Sequence, residues 1–214
     1  MTFEERLPAK AIDISQLPAT KLDTHAPLWW GNLLGLAIET VAFGVLIAAY
    51  FTVWMTTSPF PPPHVNQYPI NLNPVPDLTI PTINLAVFIL SLVPDIWLDV
   101  SARAKRERAV KILLPVTLAF NVVTIVLRFY EFDSLYFRWD DNAYASVVWA
   151  ILFMHMIHLF IMAIEDIFEI AWITSKGLDE KQALHITVVA GYYYWIVGIW
   201  IPLYVLVYLL PRLV

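Results

Sequence analysis

Residues 31–54 read GNLLGLAIETVAFGVLIAAYFTVW. As an α-helix rising about 1.5 Å per residue, this stretch exceeds the roughly 30 Å of hydrocarbon in a bilayer. One acid, Glu39, interrupts it. Trp30 stands nine residues before Glu39, which places the carboxyl roughly 13 Å below the interface, near mid-membrane. Insertion scales set such a group at roughly 2.5–3.5 kcal/mol against the helix. A chain that keeps it there must shelter it against other helices, another subunit or water. The stretch predicts a polytopic membrane protein, and it makes Glu39 the first candidate for function.

Composition agrees. Apolar residues make up 59% of the 214 positions and charged residues 14%. Soluble domains lie near 45–50% and about 25%. The net charge of −5, without a basic face, argues against a nucleic-acid partner. Cysteine is absent, which excludes iron–sulfur clusters, thiolate copper centres, covalently attached haem and disulfides. Residues 1–28 are polar, carry three prolines and contain no apolar core of a signal peptide, so no cleavable leader is expected.

The expected architecture is all-α, a bundle of five transmembrane helices. A polar arm over 1–28 lies at the membrane surface and a single membrane domain covers 29–214. The spans fall at about 30–55, 82–100, 109–130, 144–173 and 188–210. Trp29, Trp30 and Trp54 mark the interfaces of the first. Residues 56–81 hold eight prolines and no Lys or Arg, an extended, partly polyproline-like loop. The second span carries Pro94, Asp95 and Asp99, with Asp99 placed to pair with Arg103 on an exposed helix surface. Residues 131–145 form an acidic, aromatic loop, either solvated or facing a basic partner, and Asp141 or Asn142 serves as the next N-cap. Gly177 stops the fourth helix within a turn over 174–187.

Five spans place the termini on opposite sides. Lys and Arg number three in the arm (Arg6, Lys10, Lys21), five in 101–111 and two in 174–187; the other side has Arg128, Arg138 and Arg212. The cationic side is cytoplasmic, so the N-terminus is expected in the cytoplasm and the C-terminus outside. No internal repeat of the inverted-transporter kind is visible.

On the fourth span, His155, His158, Met162, Glu165 and Glu169 follow one another at steps of 3, 4, 3 and 4 and share one stripe. Three readings stand side by side: a polar seam against a neighbouring helix or subunit, a proton or water path, and a metal site. The metal reading fits worst. Bundle di-iron centres use Glu-x-x-His pairs, which are missing, and His155 and Glu165 stand about 15 Å apart along the axis. Asp166 is expected off the stripe, solvated or at the headgroups. Glu39 is read either as a protonated carboxyl bonded to a carbonyl or histidine, or as part of a proton-handling or lipid-filled pocket. An ion-transport site is a third reading. Asp95, nearer the cytoplasmic end, is the second buried acid and is expected within reach of water. The runs at 192–195 and Trp200, Tyr204, Tyr208 read as packing and interface residues. No residue is assigned a catalytic role.

Several segments together resemble subunit III of heme–copper (cytochrome c) oxidases. IETVAFGVLIAAYF (38–51) is similar to that family's S-E-x-x-F-F-A-x-x-x-A-Y-F helix, with Glu39 at the acid. FPPP (60–63) and LNPVPDLTIPTINLAVFILS (72–91) resemble its W-P-P loop and P-x-L-N-T-x-x-L-x-x-S entry. FYEF (129–132), DDNAYASVVW (140–149) and MHMIHLF (154–160) resemble its E-Y, D-x-x-Y-G-S-x-F and F-H-x-x-H-V segments. The helix YYYWIVGIWIPLYVLVY (192–208) is similar to its closing one, with Tyr194 in place of His and Val197 in place of Asp. The order of segments fits the five-helix form.

The resemblance implies an accessory, non-redox subunit of a proton-pumping terminal oxidase in a prokaryotic plasma membrane. Haem and copper would belong to partner subunits, and this chain would hold phospholipid but no metal. It would pack directly on subunit I, in a complex with subunit II and others, and support assembly and sustained proton uptake. Whether that assembly joins a respiratory supercomplex stays open. Competing readings are an independent proton or solute transporter using Glu39 and Asp95, and a membrane metalloenzyme on the fourth helix.

Overall fold

The computed structural model describes residues 27–63 and 74–213. The polar arm up to residue 26 and the middle of the proline-rich loop lie outside the described residues. The described part is helical, with α1 at Pro27–Thr56, α2 at Thr79–Arg103, α3 at Glu107–Asp133, α4 at Ala143–Lys176 and α5 at Glu180–Tyr204. A π turn (Val205–Leu209) and a 3-10 turn (Leu210–Arg212) continue α5. All five helices, the last taken with its continuation, are long and apolar enough to cross a membrane, and no strand occurs among the described residues.

Helices α4 and α5 outrun their apolar runs because local capping holds the extra turns. Asn142, in extended conformation, accepts the Ala145 amide through Oδ1 at 2.9 Å and starts α4. Gly177, at φ +79°, takes a backbone shape disfavoured for side-chain-bearing residues and ends that helix. The turn expected over 174–187 shrinks to residues 177–179. Asp179 Oδ1 accepts the Gln182 amide at 2.8 Å, and Gln182 Oε1 accepts the Asp179 amide at 3.2 Å. This reciprocal cap satisfies two otherwise unpaired donors, and it starts α5 eight residues before the apolar run at 188.

Helices α2, α3, α4 and α5 close into a four-membered ring, each packing on the next and α5 returning to α2. Helix α1 lies outside, in the groove between α4 and α5. It buries only Phe43 and Tyr50, while Leu34, Ile38, Val41 and Val45 form an exposed apolar stripe. The interior is filled by large side chains such as Phe88, Tyr144, Leu152 and Trp200, all fully buried. Between membrane helices such packing matters more than water exclusion, since lipid tails are as apolar as leucine. At the lower end Lys105, in the α2–α3 turn, pairs with Glu180 at 2.5 Å. At the other end Arg212 donates to the carbonyls of Tyr208 and Pro76, tying the end of the chain to the entry of α2.

Candidate functional site

Two polar groups, one half-exposed and one buried, sit where α4 faces α1 on one side and the ring on the other. The first joins two residues singled out separately in the sequence, Glu39 and His158 of the helix-four stripe. His158 Nε2 lies 3.2 Å from Glu39 Oε2, and His158 Nδ1 lies 2.7 Å from the Met154 carbonyl oxygen. A carbonyl oxygen only accepts, so Nδ1 carries a hydrogen. The contact between Nε2 and Oε2 then needs one more proton, held by the imidazole in an ion pair or by the carboxyl. The Glu39 side chain is 38% exposed and that of His158 is 6% exposed. The carboxyl therefore opens on the outer surface of the bundle at mid-span. Phe43 packs against His158 and Trp195 with ring centres 5.5 and 5.8 Å away and walls this pair off from the ring.

The second group centres on Arg128. Read from sequence as a charge on the outer side, it is fully buried inside the ring. Its Nη1 donates to Glu131 Oε2 at 2.6 Å, and its guanidinium carbon sits 3.7 Å from the centre of the Trp200 ring. Its Nη2 lies 3.1 Å from His155 Nδ1. Arginine only donates, so Nδ1 accepts, and His155 Nε2 donates to the Ile196 carbonyl at 3.1 Å. His155 is thus the neutral Nε2–H tautomer. Asn84 Nδ2 also donates to Glu131 Oε2, at 3.3 Å. Glu131, assigned to the acidic loop from sequence, is instead a buried residue of α3. This cluster joins α2, α3 and α4 through charge-assisted bonds and reaches α5 through the Ile196 carbonyl and the Trp200 ring. Only the FYEF and MHMIHLF segments hinted at it; nothing in the sequence placed Arg128 inside.

Towards the lower end the sequence expectations need two corrections. Asp95, expected within reach of water, is 4% exposed, and Asp166, expected to be solvated, is equally buried. Eleven residues separate Asp166 from His155, about 20° of rotation at about 100° per residue, so it shares the inward face. Glu169 is also buried and its Oε1 meets His185 Nδ1 at 2.9 Å. Glu165 is half-buried and lines a groove of about 460 Å3 between α1, α4 and α5, with Asn32, His185 and Tyr192. The helix-four residues thus divide: His155 faces the arginine, His158 faces Glu39, and Glu165 and Glu169 reach the groove and His185. Asp99 pairs with Arg103 at 2.8 Å, but Asp99 is buried rather than on an open surface. Among the described residues no three His, Asp or Glu side chains stand together as metal ligands.

This fold and these polar clusters belong to a chain whose residues 19–211 match the family model described as cytochrome c oxidase subunit III. A cytochrome c oxidase subunit 3 of Thermostichus vulcanus is 27% identical over 85% of this chain and 87% of its own length. A cytochrome bo(3) ubiquinol oxidase subunit 3 of Buchnera aphidicola is 23% identical, with 83% and 86% covered. A cytochrome c oxidase subunit 3 of Petromyzon marinus is 20% identical, with 86% and 71% covered. The family match spans all five helices, and the chain belongs to the cytochrome c oxidase subunit III family.

Proposed function

We propose that this chain is the accessory, non-redox subunit III of a proton-pumping heme–copper oxidase whose complete assembly reduces O2 to water. The observation that carries the reading is the family match over residues 19–211. The similar chains include subunits of both a cytochrome c oxidase and a ubiquinol oxidase, so the electron donor is left open. The transporter alternative through Glu39 and Asp95 draws no support from these relatives.

In this reading the chain lies directly against subunit I, with subunit II in the same complex and haem and copper held by those partners. The mid-span position and partial exposure of Glu39 support a covering neighbour, because a carboxyl open to hydrocarbon is expensive. The groove beside Glu165 and His185 suits a phospholipid, with acyl chains along α1 and polar atoms at the lower rim. Lys105, Arg106, Arg108 and Lys111 share an end with Lys176 and Lys181 through the contact of Lys105 with Glu180. That supports a cytoplasmic N-terminus and an external C-terminus in a prokaryotic plasma membrane.

Support of assembly and sustained proton uptake by subunit I is tested at Glu39. The variant Glu39→Gln keeps the shape but removes the ionisable group opposite the buried His158 ring, across a contact whose carboxyl side is 38% exposed. Sustained turnover or occupancy of the subunit is expected to fall, with haem content per complex unchanged. Wild-type turnover and wild-type occupancy together would remove Glu39 from the function.

A further inference from the structure

A small cavity of about 10 Å3 lies inside the ring, lined by Ser91, Asp95, Thr117, Met162, Asp166 and Tyr193. It draws on all four ring helices, and a space of about 10–15 Å3 holds one water molecule. Its chemistry is one-sided. Ser91 Oγ donates to the Phe88 carbonyl at 2.7 Å, so the Tyr193 hydroxyl, 2.7 Å away, donates to Ser91. Thr117 Oγ1 donates to the Leu114 carbonyl at 2.9 Å. The three hydroxyl hydrogens are therefore committed, and only oxygen lone pairs remain for the cavity. Asp95 Oδ2 is buried there with no hydrogen-bond partner, on a residue that is 4% exposed.

Nearby cations do not neutralise the two acids. Arg103 is bonded to Asp99, and His185 to Glu169. At this level α3 presents Thr117 and Asn121, and α5 presents Tyr193, none of them cationic. No ion pair among the described residues includes Asp95 or Asp166. Asn121 donates a hydrogen bond to Asp166, but it brings no charge, and two charged carboxylates in a ring of membrane helices are prohibitively expensive. A water that donates hydrogen bonds fits the lone pairs lining the cavity, and a shared proton removes charge that the ring does not solvate.

We propose that this cavity is a proton-holding site, in which one water bridges Asp95 and Asp166 and the two carboxyls carry at least one exchangeable proton between them. The water donates one hydrogen to Asp95 Oδ2 and the other towards Asp166. Its lone pairs accept from whichever carboxyl is protonated. The site lies apart from the Glu39–His158 pair, inside the ring and about 80° around α4 from His158, and does not depend on the oxidase reading.

The test is infrared difference spectroscopy on the intact membrane complex, comparing wild type with Asp95→Asn and Asp166→Asn. The wild type is expected to show a protonated-carboxyl stretch that shifts in D2O and is absent from both variants. A water O–H band, shifted in 18O-labelled water, should vanish with it. If either variant fails to assemble, Asp95→Glu and Asp166→Glu, measured in D2O and 18O-labelled water with NaCl or choline chloride, carry the test, since each should move the carboxyl band of this site and leave any band of Glu39 in place. The absence of those shifts overturns the proposal. So does a carboxyl band that Na+, but not choline, removes at constant pH, since that result makes the cavity a cation site.

Discussion

Replacing Arg128 by leucine is expected to destabilise the subunit by about 3–5 kcal/mol, the range for breaking a buried ion pair from one side. Three partners lose their complement at once. Glu131 loses the donor at 2.6 Å, His155 Nδ1 loses its donor at 3.1 Å, and the Trp200 face loses the guanidinium 3.7 Å from its centre. The measurement is retention of the subunit in the detergent-solubilised complex as temperature rises. A companion double variant, Arg128→Met with Glu131→Gln, removes both charges together and should regain most of the loss, because an apolar replacement of a whole buried pair is often near neutral. Wild-type retention in Arg128→Leu would show that the pair does not hold the ring. Equal loss in single and double variants would show that packing, not charge, is what matters there.

Phe43→Ala is the second large effect, at about 3–5 kcal/mol for a fully buried aromatic. Phe43 and Tyr50 are the only buried residues of α1, so little else holds this helix in the α4–α5 groove. The Phe43 ring sits among His155, His158 and Trp195, at centre distances of 6.5, 5.5 and 5.8 Å. Its loss should loosen α1, break the Glu39–His158 contact, and leave the Arg128 cluster intact. Cysteine pairs introduced at Asn32 and Val188, whose side chain and carbonyl lie 3.2 Å apart, report the seating of α1 by cross-linking yield. A marked fall in yield is expected in Phe43→Ala. An unchanged yield would mean that a neighbour outside this chain fixes α1.

The five helices were legible because each carries an apolar run long enough for a bilayer, and hydropathy reads length well. Their ends were less legible. Helix α5 starts at Glu180 through a cap built from Asp179 and Gln182, a signal that lies in polar residues and not in the apolar run. The site was half legible. A helical wheel placed His155 and His158 on one stripe, and the structure separates them towards two different partners, Arg128 and Glu39. A single sequence fixes angle around a helix but not which neighbour stands at that angle. The same gap hid Arg128, which looks like a topology charge near the end of a span. Asp166 was legible, since it lies only about 20° from His155 on the wheel. Asp95 was legible as a buried acid, but its distance from water depends on how tightly the ring helices close around it.

The central claim is that this membrane bundle is one subunit of a redox-active oxidase. Solubilising the native membrane in mild detergent, isolating this chain and identifying what accompanies it tests that most directly. The expected result is a stoichiometric complex with a haem- and copper-bearing subunit. Haem and copper absorption should disappear when this chain is stripped away and examined alone. Recovery of the chain as a solitary monomer, or of haem or copper bound to the isolated chain, would contradict the account.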